Sequence, residues 1–330
     1  MAITQIGDID FQTQEFSDIM LGEFTDRNEF LNSGVLAELP DSVVNNGYTA
    51  AMPHWNTLSG DSDVIAAGLT STINALDTYL DVGVWCEREK AWGAEQIVKV
   101  VTAADPTAEM ARQLGQYWAN ELHKTALKTL TGTFAVALAS SHSTGSTYAG
   151  AIIDTDAVLA AKLLLGDNSD LLSAALMNSK VYNDALREKI ISIDQGGADS
   201  YGSGVIPRML GMTPKSTDKL TATSSVYPSY FAAQGAMGYK FRPRPNQVYN
   251  NMNRFLVGMG VEVELARVAT VNGGQDQFIT RASFLTHVPG VAWGGSSTGN
   301  PTNTALATGS NWSKVASDDK LIRIVELQTL

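Results

Sequence analysis

The sequence predicts an α+β fold, with strands and helices grouped in separate stretches rather than alternating. Three observations predict it. A two-stranded pattern opens the body of the chain, one long helix follows, and a second, clearer hairpin pattern returns late. No strand–helix–strand unit recurs, and there is no internal repeat. The chain has 330 residues, 44% of them hydrophobic and 17% charged, which is ample for a sizeable core in one large domain or two connected ones.

The first 39 residues read as an arm. "FSDIMLGEFTDRNEFLNSG" suits one or two short helices ending near Gly34, but it shows no long amphipathic face. From Tyr48 the pattern turns extended. "YTAAMPHW" and "STINALDTYLDVGVWCEREKAWG" roughly alternate apolar and polar residues on either side of "SGDSD". That predicts a long two-stranded excursion with a glycine- and acid-rich tip, and Pro53 suits an edge strand within it. Neither arm nor excursion is expected to bury itself, and uncovered strand edges are liabilities, so the natural cover is another copy of the chain.

The strongest helix comes next. Asp105 is a good N-cap and Pro106 suits the first helical position, where its missing N–H costs nothing. Met110, Leu114, Trp118, Leu122, Ala126 and Leu130 then step by four, a narrow apolar stripe. A helix from Pro106 to about Thr131 is roughly 39 Å long at ~1.5 Å per residue. Lys124 and Lys128 fall late in it, favourable to the helix dipole, and Gly132 supplies the stop. The stripe is expected to pack on the late hairpin, 261–287.

Beyond the helix, "STGSTYAGA" is a loop, "DTDAVLAAKLLLG" a helix ended by Gly166, and "LLSAALM" a short strand. "NSKVYNDALREKI" is a helix capped by Asn178 or Ser179, and "DQGGADSYGSG" a glycine-rich loop. Strands return from Tyr230. "GVEVELARVATV" and "QFITRASFLTHV" pair around Asn272-Gly273, a strong hairpin turn. After the loop "GGSSTGNPTNTALATGS", the run "KLIRIVELQTL" is a final strand, expected to join the strand at 172–177.

Composition narrows the function. A net charge of −11 argues against a dedicated nucleic-acid surface and leaves room only for weak contacts. Cys86 is the single cysteine, so no intrachain disulfide and no multi-cysteine zinc site can form. The amino terminus lacks the basic, apolar layout of a secretory signal, and no apolar run is long enough to span a bilayer. The expectation is a chain folded in a reducing cytoplasm.

No constellation for catalysis stands out, and no catalytic, cofactor or metal site is expected. The four histidines, His54, His123, His142 and His287, fall in four different elements without paired spacing, which favours surface or packing roles. Asp61 and Asp63 form a D-x-D in a glycine turn, more a solvated tip than a metal site. "GSSTG" would make Ser297 a nucleophile, but no helix is expected after it, as a nucleophile elbow requires. "GMG" at 258–260 leads into a strand rather than a helix. "YKFRPRP" is the one basic-aromatic cluster, open to a solvated turn or a phosphate or partner contact. Trp118, Met237, Met252 and Met259 read as core.

Several stretches, in order, resemble the major capsid proteins of tailed bacteriophages with the Hong Kong 97-type fold. "MPHWNTLSGDSDVI" is similar to the family's extended-loop strand, with its P-x-W-x-x-L-x-G-D pattern. "REKAWGAEQIVKVVTAADPTAEMARQLGQYWANELHKTALKTLTGTFA" resembles the strand and spine helix that follow. "ALMNSKVY" resembles the helix entry of the axial domain. "DQFITRASFLTHVPGVAW" resembles the peripheral strand, although its end reads His287-Val288-Pro289-Gly290. "NPTNTALATGSNW" is similar to the link into the last strand. The "DQGGADSYGSG" and "YKFRPRPNQVYNNMNRFL" regions depart from the pattern.

The resemblance implies a shell protein, not an enzyme. Its implied layout is an N-terminal arm (1–45), an extended β loop (46–90), a peripheral domain (91–140 and 246–295) and an axial domain (141–245 and 296–330). It implies hexamers and pentamers of an icosahedral head around the double-stranded DNA of a tailed phage. Portal and scaffolding proteins, and decoration proteins, are the implied partners, with weak non-specific contact to packaged DNA and no membrane. The implied location is the virion, after assembly in the host cytoplasm. The run 50–65 then reads as a subunit contact, with Pro53 and Trp55 as rigid anchors and Asp61 and Asp63 as a polar rim. Some relatives cross-link through a lysine, but none occurs between Leu39 and Arg88, so no cross-link is expected. The arm-like stretch already begins at Phe16, which implies a separate scaffold, no cleavage, and an arm held by neighbours. An encapsulin-like nanocompartment shell and, less favoured, a cytosolic enzyme are the alternatives.

Overall fold

A computed structural model describes residues 13–27, 29–40, 44–56, 58, 60–62, 65, 73, 75–95, 106–193, 207–244, 254–257, 260–268, 275–296 and 300–330. Asp63, Asp105, the glycine-rich loop 194–204, Asn272-Gly273, Ser297 and "GM" of the "GMG" run lie outside them. Among the described residues, ten strands form one large sheet system, which includes β1 (Leu36–Glu38), β11 (Arg254–Val257) and β14 (Val291–Trp293), four form a second sheet, and β6 (Ile191–Ile193) pairs with β7 (Pro207–Met209).

The large sheet is organised by one strand, β4 (Thr78–Glu95), which changes partner along its length. Its first half pairs antiparallel with β3 (Thr49–Trp55), from Thr49↔Val84 to Trp55↔Thr78. Its second half pairs antiparallel with β13 (Gln275–His287), from Leu285↔Trp85 to Gln275↔Glu95. At the switch, Gly83, Val84, Trp85 and Cys86 are all buried, so the expected alternation breaks where both faces are covered. A Cβ on Gly83 would meet Leu285 Cδ1 at 2.7 Å, which explains the glycine. β13 also pairs with β12 (Val261–Val268), the expected hairpin, and with β10 (Met237–Arg242).

Against this sheet lies α3 (Pro106–Ala135), the predicted helix, and it runs four residues past its expected end. Gly132 is not a stop. It sits inside the helix because a Cβ there would overlap the Leu306 carbonyl oxygen and crowd Trp312 Nε1. With the end at Ala135, no basic residue lies in the last turn, so Lys124 and Lys128 do not serve the dipole. Leu114, Trp118, Leu122, Ala126 and Leu130 are buried as expected, in one core with Val261, Val263, Ala282 and Phe284 of the late hairpin. The buried surface is wider than that stripe. Thr125, Thr129 and Thr133 form a second buried row, and Thr129 Oγ1 lies 2.9 Å from Thr286 Oγ1 of β13.

The arm corrects a second expectation. α1 (Thr13–Arg27) and α2 (Glu29–Asn32) exist, but Phe16, Met20, Phe24 and Phe30 are buried within the same chain. Phe16, Met20 and Phe24, spaced by four, pack on α3. The two helices approach so closely that a Cβ on Gly115 would lie 2.5 Å from the Met20 carbonyl oxygen. Burying three side chains of this size contributes several kcal/mol, at ~1.5–3 kcal/mol each.

The second sheet has the order β16 (Ile324–Thr329), β9 (Tyr227–Ala233), β5 (Leu172–Met177), β8 (Thr213–Ser216). Strands thus return before Tyr230. The final strand shares the sheet of 172–177, with β9 between them. Two helices cover it, α4 (Thr155–Leu163) and α5 (Ser179–Arg187). Each starts at a side-chain cap: Asp154 Oδ1 accepts from the Ala157 N–H at 2.7 Å, and Asn178 Oδ1 from the Lys180 N–H at 2.8 Å. Val158, Met177, Val181, Phe231 and Val325 make a core of their own. One helix was not anticipated, α6 (Asn303–Ala307), which Thr302 caps in the Ser/Thr-rich stretch taken for loop. β10 and β15 (Trp312–Lys314) hydrogen-bond within the large sheet system.

Candidate assembly surface

β3 and the first half of β4 leave the body as a two-stranded ribbon, extended by the Asn56 N–H donating to the Asp77 carbonyl at 3.0 Å. β2 (Val44–Asn46) covers the outer edge of β3 only as far as Ala51. Residues 52–55 therefore form an edge among the described residues, and Pro53 sits there as expected, without an N–H to leave unpaired. Trp55 is 66% exposed and Ile73 96% exposed, and Leu58, Ile65, Leu76 and Leu80 are exposed beside them. Among the described residues no second layer covers these side chains. Six large exposed apolar residues within the run 55–80 exceed the usual scatter of a soluble surface. Pro53 and Asp61 are exposed with them.

At the root of the ribbon the structure joins what the sequence separated. Asp81 of β4 is fully buried, and its Oδ2 accepts from the Gly290 N–H at 2.8 Å. His54 Nε2 of β3 lies 3.3 Å from the same oxygen and His287 Nε2 of β13 lies 3.6 Å from it. No linear spacing signals a cluster of residues 54, 81 and 287. The one hint is the His287-to-Gly290 run, where Gly290 has φ +88° and no room for a Cβ against Ile322.

The other two histidines pack, as expected. His123 meets Phe30 edge-on at 4.5 Å, and burial, helped by Lys219, pushes its pKa down to about 3. His142 bridges Ser141 Oγ at 2.7 Å and the Asp319 carbonyl at 2.8 Å. Cys86 is buried, its thiol pushed up to about 11 by desolvation. In the "YKFRPRP" cluster, Arg242 stacks 4.3 Å from the Trp85 ring and donates to Ser283 Oγ at 3.1 Å, so it serves the sheet. Among the described residues no three ligating side chains are placed to hold a metal ion, and no helix is long and apolar enough to cross a membrane.

A ribbon projecting from a strand-switching sheet, a long helix behind it and a discontinuous second sheet define the Hong Kong 97-type capsid fold. The solved capsid of Ralstonia phage GP4 has it, with a TM-score of 0.57 at 9% identity, covering 80% of this chain and 87% of that one. So does the capsid of cyanophage Pam1, with a TM-score of 0.54 at 11% identity, covering 87% and 92%. The particular likeness in sequence is to the major capsid protein of Bacillus phage SPP1, 27% identical over 340 residues, covering 99% of this chain and 98% of that protein. No family model matches. Together these likenesses support a tailed-phage major capsid protein and give neither alternative support.

Proposed function

We infer that this chain is the major capsid protein of a tailed phage, a structural protein that assembles with copies of itself into the head shell. The observation that supports the reading beyond the comparisons is the ribbon, whose large apolar side chains are exposed among the described residues. In this reading residues 46–90 are the extended loop, Pro53 and Trp55 anchor it on a neighbouring subunit, and Asp61 and Asp63 rim the contact. The peripheral domain is residues 91–140 and 246–295 and the axial domain residues 141–245 and 296–330, with β10 and β15 hydrogen-bonded into the large sheet system. The hexamers and pentamers, the portal, scaffolding and decoration partners and weak contact with packaged DNA belong to the same reading, as does assembly in the host cytoplasm.

Deleting residues 58–70 tests it. The described residues of the tip, Leu58, Gly60, Asp61, Ser62 and Ile65, are all exposed, so the truncated chain should stay soluble and keep its thermal midpoint, while electron microscopy should show no closed shells. Normal particles from that deletion would overturn the assignment of the loop.

A further inference from the structure

Between α3 and the second sheet lies a cleft of about 460 Å³, in the size range of ligand pockets. Leu127 and Phe134 of α3, Pro228 of β9, and Leu220 and Val226 of the segment before β9 give it an apolar wall. Lys124, Lys128 and Lys219 stand in the same lining. Lys124 and Lys128 are about one helical turn apart, a spacing at which like charges repel. Glu326 brings an acid to the cleft, but it is buried, and its Oε2 accepts from Ser143 Oγ at 2.7 Å and from Gln328 Nε2 at 2.9 Å. That acid is engaged inside, while Lys124 and Lys219 are exposed at the mouth. One rim is a tight turn. Thr223 and Val226 exchange both backbone hydrogen bonds, at 2.9 and 3.0 Å, around Ser224 and Ser225 with φ of +52° and +67°.

The ribbon has the opposite character. From Thr49 to Cys86 the sequence carries Asp61, Asp63, Asp77 and Asp81 and neither lysine nor arginine. Near its tip Leu58, Asp61 and Ile65 are all exposed, so nothing in their own chain receives them. An acidic segment with large apolar side chains is matched by a surface that supplies cations beside an apolar wall. The cleft supplies both. A nucleic-acid backbone would satisfy its lysines but would leave the apolar wall unused. Ribbon and cleft are different patches of one chain, so a contact between them runs head to tail from copy to copy, the kind that closes into rings.

We propose that the lysine-lined cleft between α3 and the second sheet receives the ribbon tip of a second copy of the chain. Leu58 and Ile65 of one copy lie against the apolar wall of the next, and Asp61 pairs with Lys124 and Lys128 at the mouth. The contact presupposes the ribbon's role under the proposed function and gives it a named receiving surface.

Charge reversal in the full chain tests it, read as the critical concentration for assembly by light scattering. Asp61→Lys and Lys128→Glu should each raise that concentration about tenfold or more, and the double variant should recover at least about threefold of the loss. An unchanged thermal midpoint shows that each variant folds. Where Lys128→Glu lowers it, Lys124→Glu, at an exposed position, carries the same test. Carbodiimide coupling in assemblies of mixed ordinary and isotope-labelled chains locates the contact. The peptide holding Asp61 should be joined to one holding Lys124, Lys128 or Lys219, with one partner of each label. Closed shells whose tip is joined elsewhere, and whose assembly ignores the reversals, sink the cleft alone. Mixed-label joins at the cleft in small oligomers that never close sink the capsid reading alone, and a chain that stays monomeric overturns both. Lysine reversals that lower DNA retention without moving the assembly concentration assign the cleft to a nucleic-acid backbone and overturn the proposal.

Discussion

Gly132 of the long helix lies directly beneath the carbonyl oxygen of Leu306, with no space for a side chain between them. Trp312 closes the same gap, its Nε1 donating to that carbonyl at 2.8 Å. Helix propensity alone favours alanine at an interior position by about 1 kcal/mol. Here a methyl would push into backbone, and overpacking of this kind costs ~1–3 kcal/mol, so the clash wins. Gly132→Ala should lower stability, read as a drop in the thermal midpoint. An unchanged or higher midpoint would mean that α6 can move away freely.

The first helix belongs to the folded body. Met20 is completely buried between α1 and α3. Met20→Ala should destabilise the chain by ~2–5 kcal/mol in denaturant unfolding, as large-to-small core changes do. A loss of shell formation with intact chain stability would instead restore the reading of α1 as an arm held by neighbours.

Trp55 should behave in the opposite way. Two-thirds exposed, it contributes little to its own chain, so Trp55→Ala should leave the unfolding midpoint within about 0.5 kcal/mol of wild type. Subunit association should weaken by ~2 kcal/mol or more, as for a buried aromatic anchor. The critical concentration for shell assembly is the measurement, and equal values for both proteins would remove Trp55 from the contact.

His123 gives a pH dependence with a definite sign. Its folded pKa is depressed to about 3, mainly by burial and secondly by Lys219, whereas an unfolded histidine titrates near ~6.5. Below that value the unfolded chain binds the extra proton, so stability is full above ~6.5 and falls as pH drops toward about 3. The loss from this one group is on the order of 3 kcal/mol at pH 4. His123→Gln should flatten the acid side of the stability curve over that window. An identical acid slope in the variant would assign the loss to other groups.

By itself the sequence determined the elements whose causes are local. The cap at Asn178, the strand at 172–177, the late hairpin and the two-stranded ribbon with its Pro53 edge all follow from neighbouring residues and short periods. The capsid resemblance was likewise legible from short motifs in order. What only the tertiary structure decided depends on residues far apart in the chain. Gly132 looked like a helix stop because a glycine's local effect is all that sequence displays, and Leu306 overhead is a distant fact. Phe16, Met20 and Phe24 looked unburied because their partner helix begins some eighty residues later. Four histidines looked unrelated because proximity of residues 54, 81 and 287 is created by strand pairing, where a strand changes partner between β3 and β13. Local free energies are written along the chain, whereas burial and charge pairing are settled only when distant segments meet.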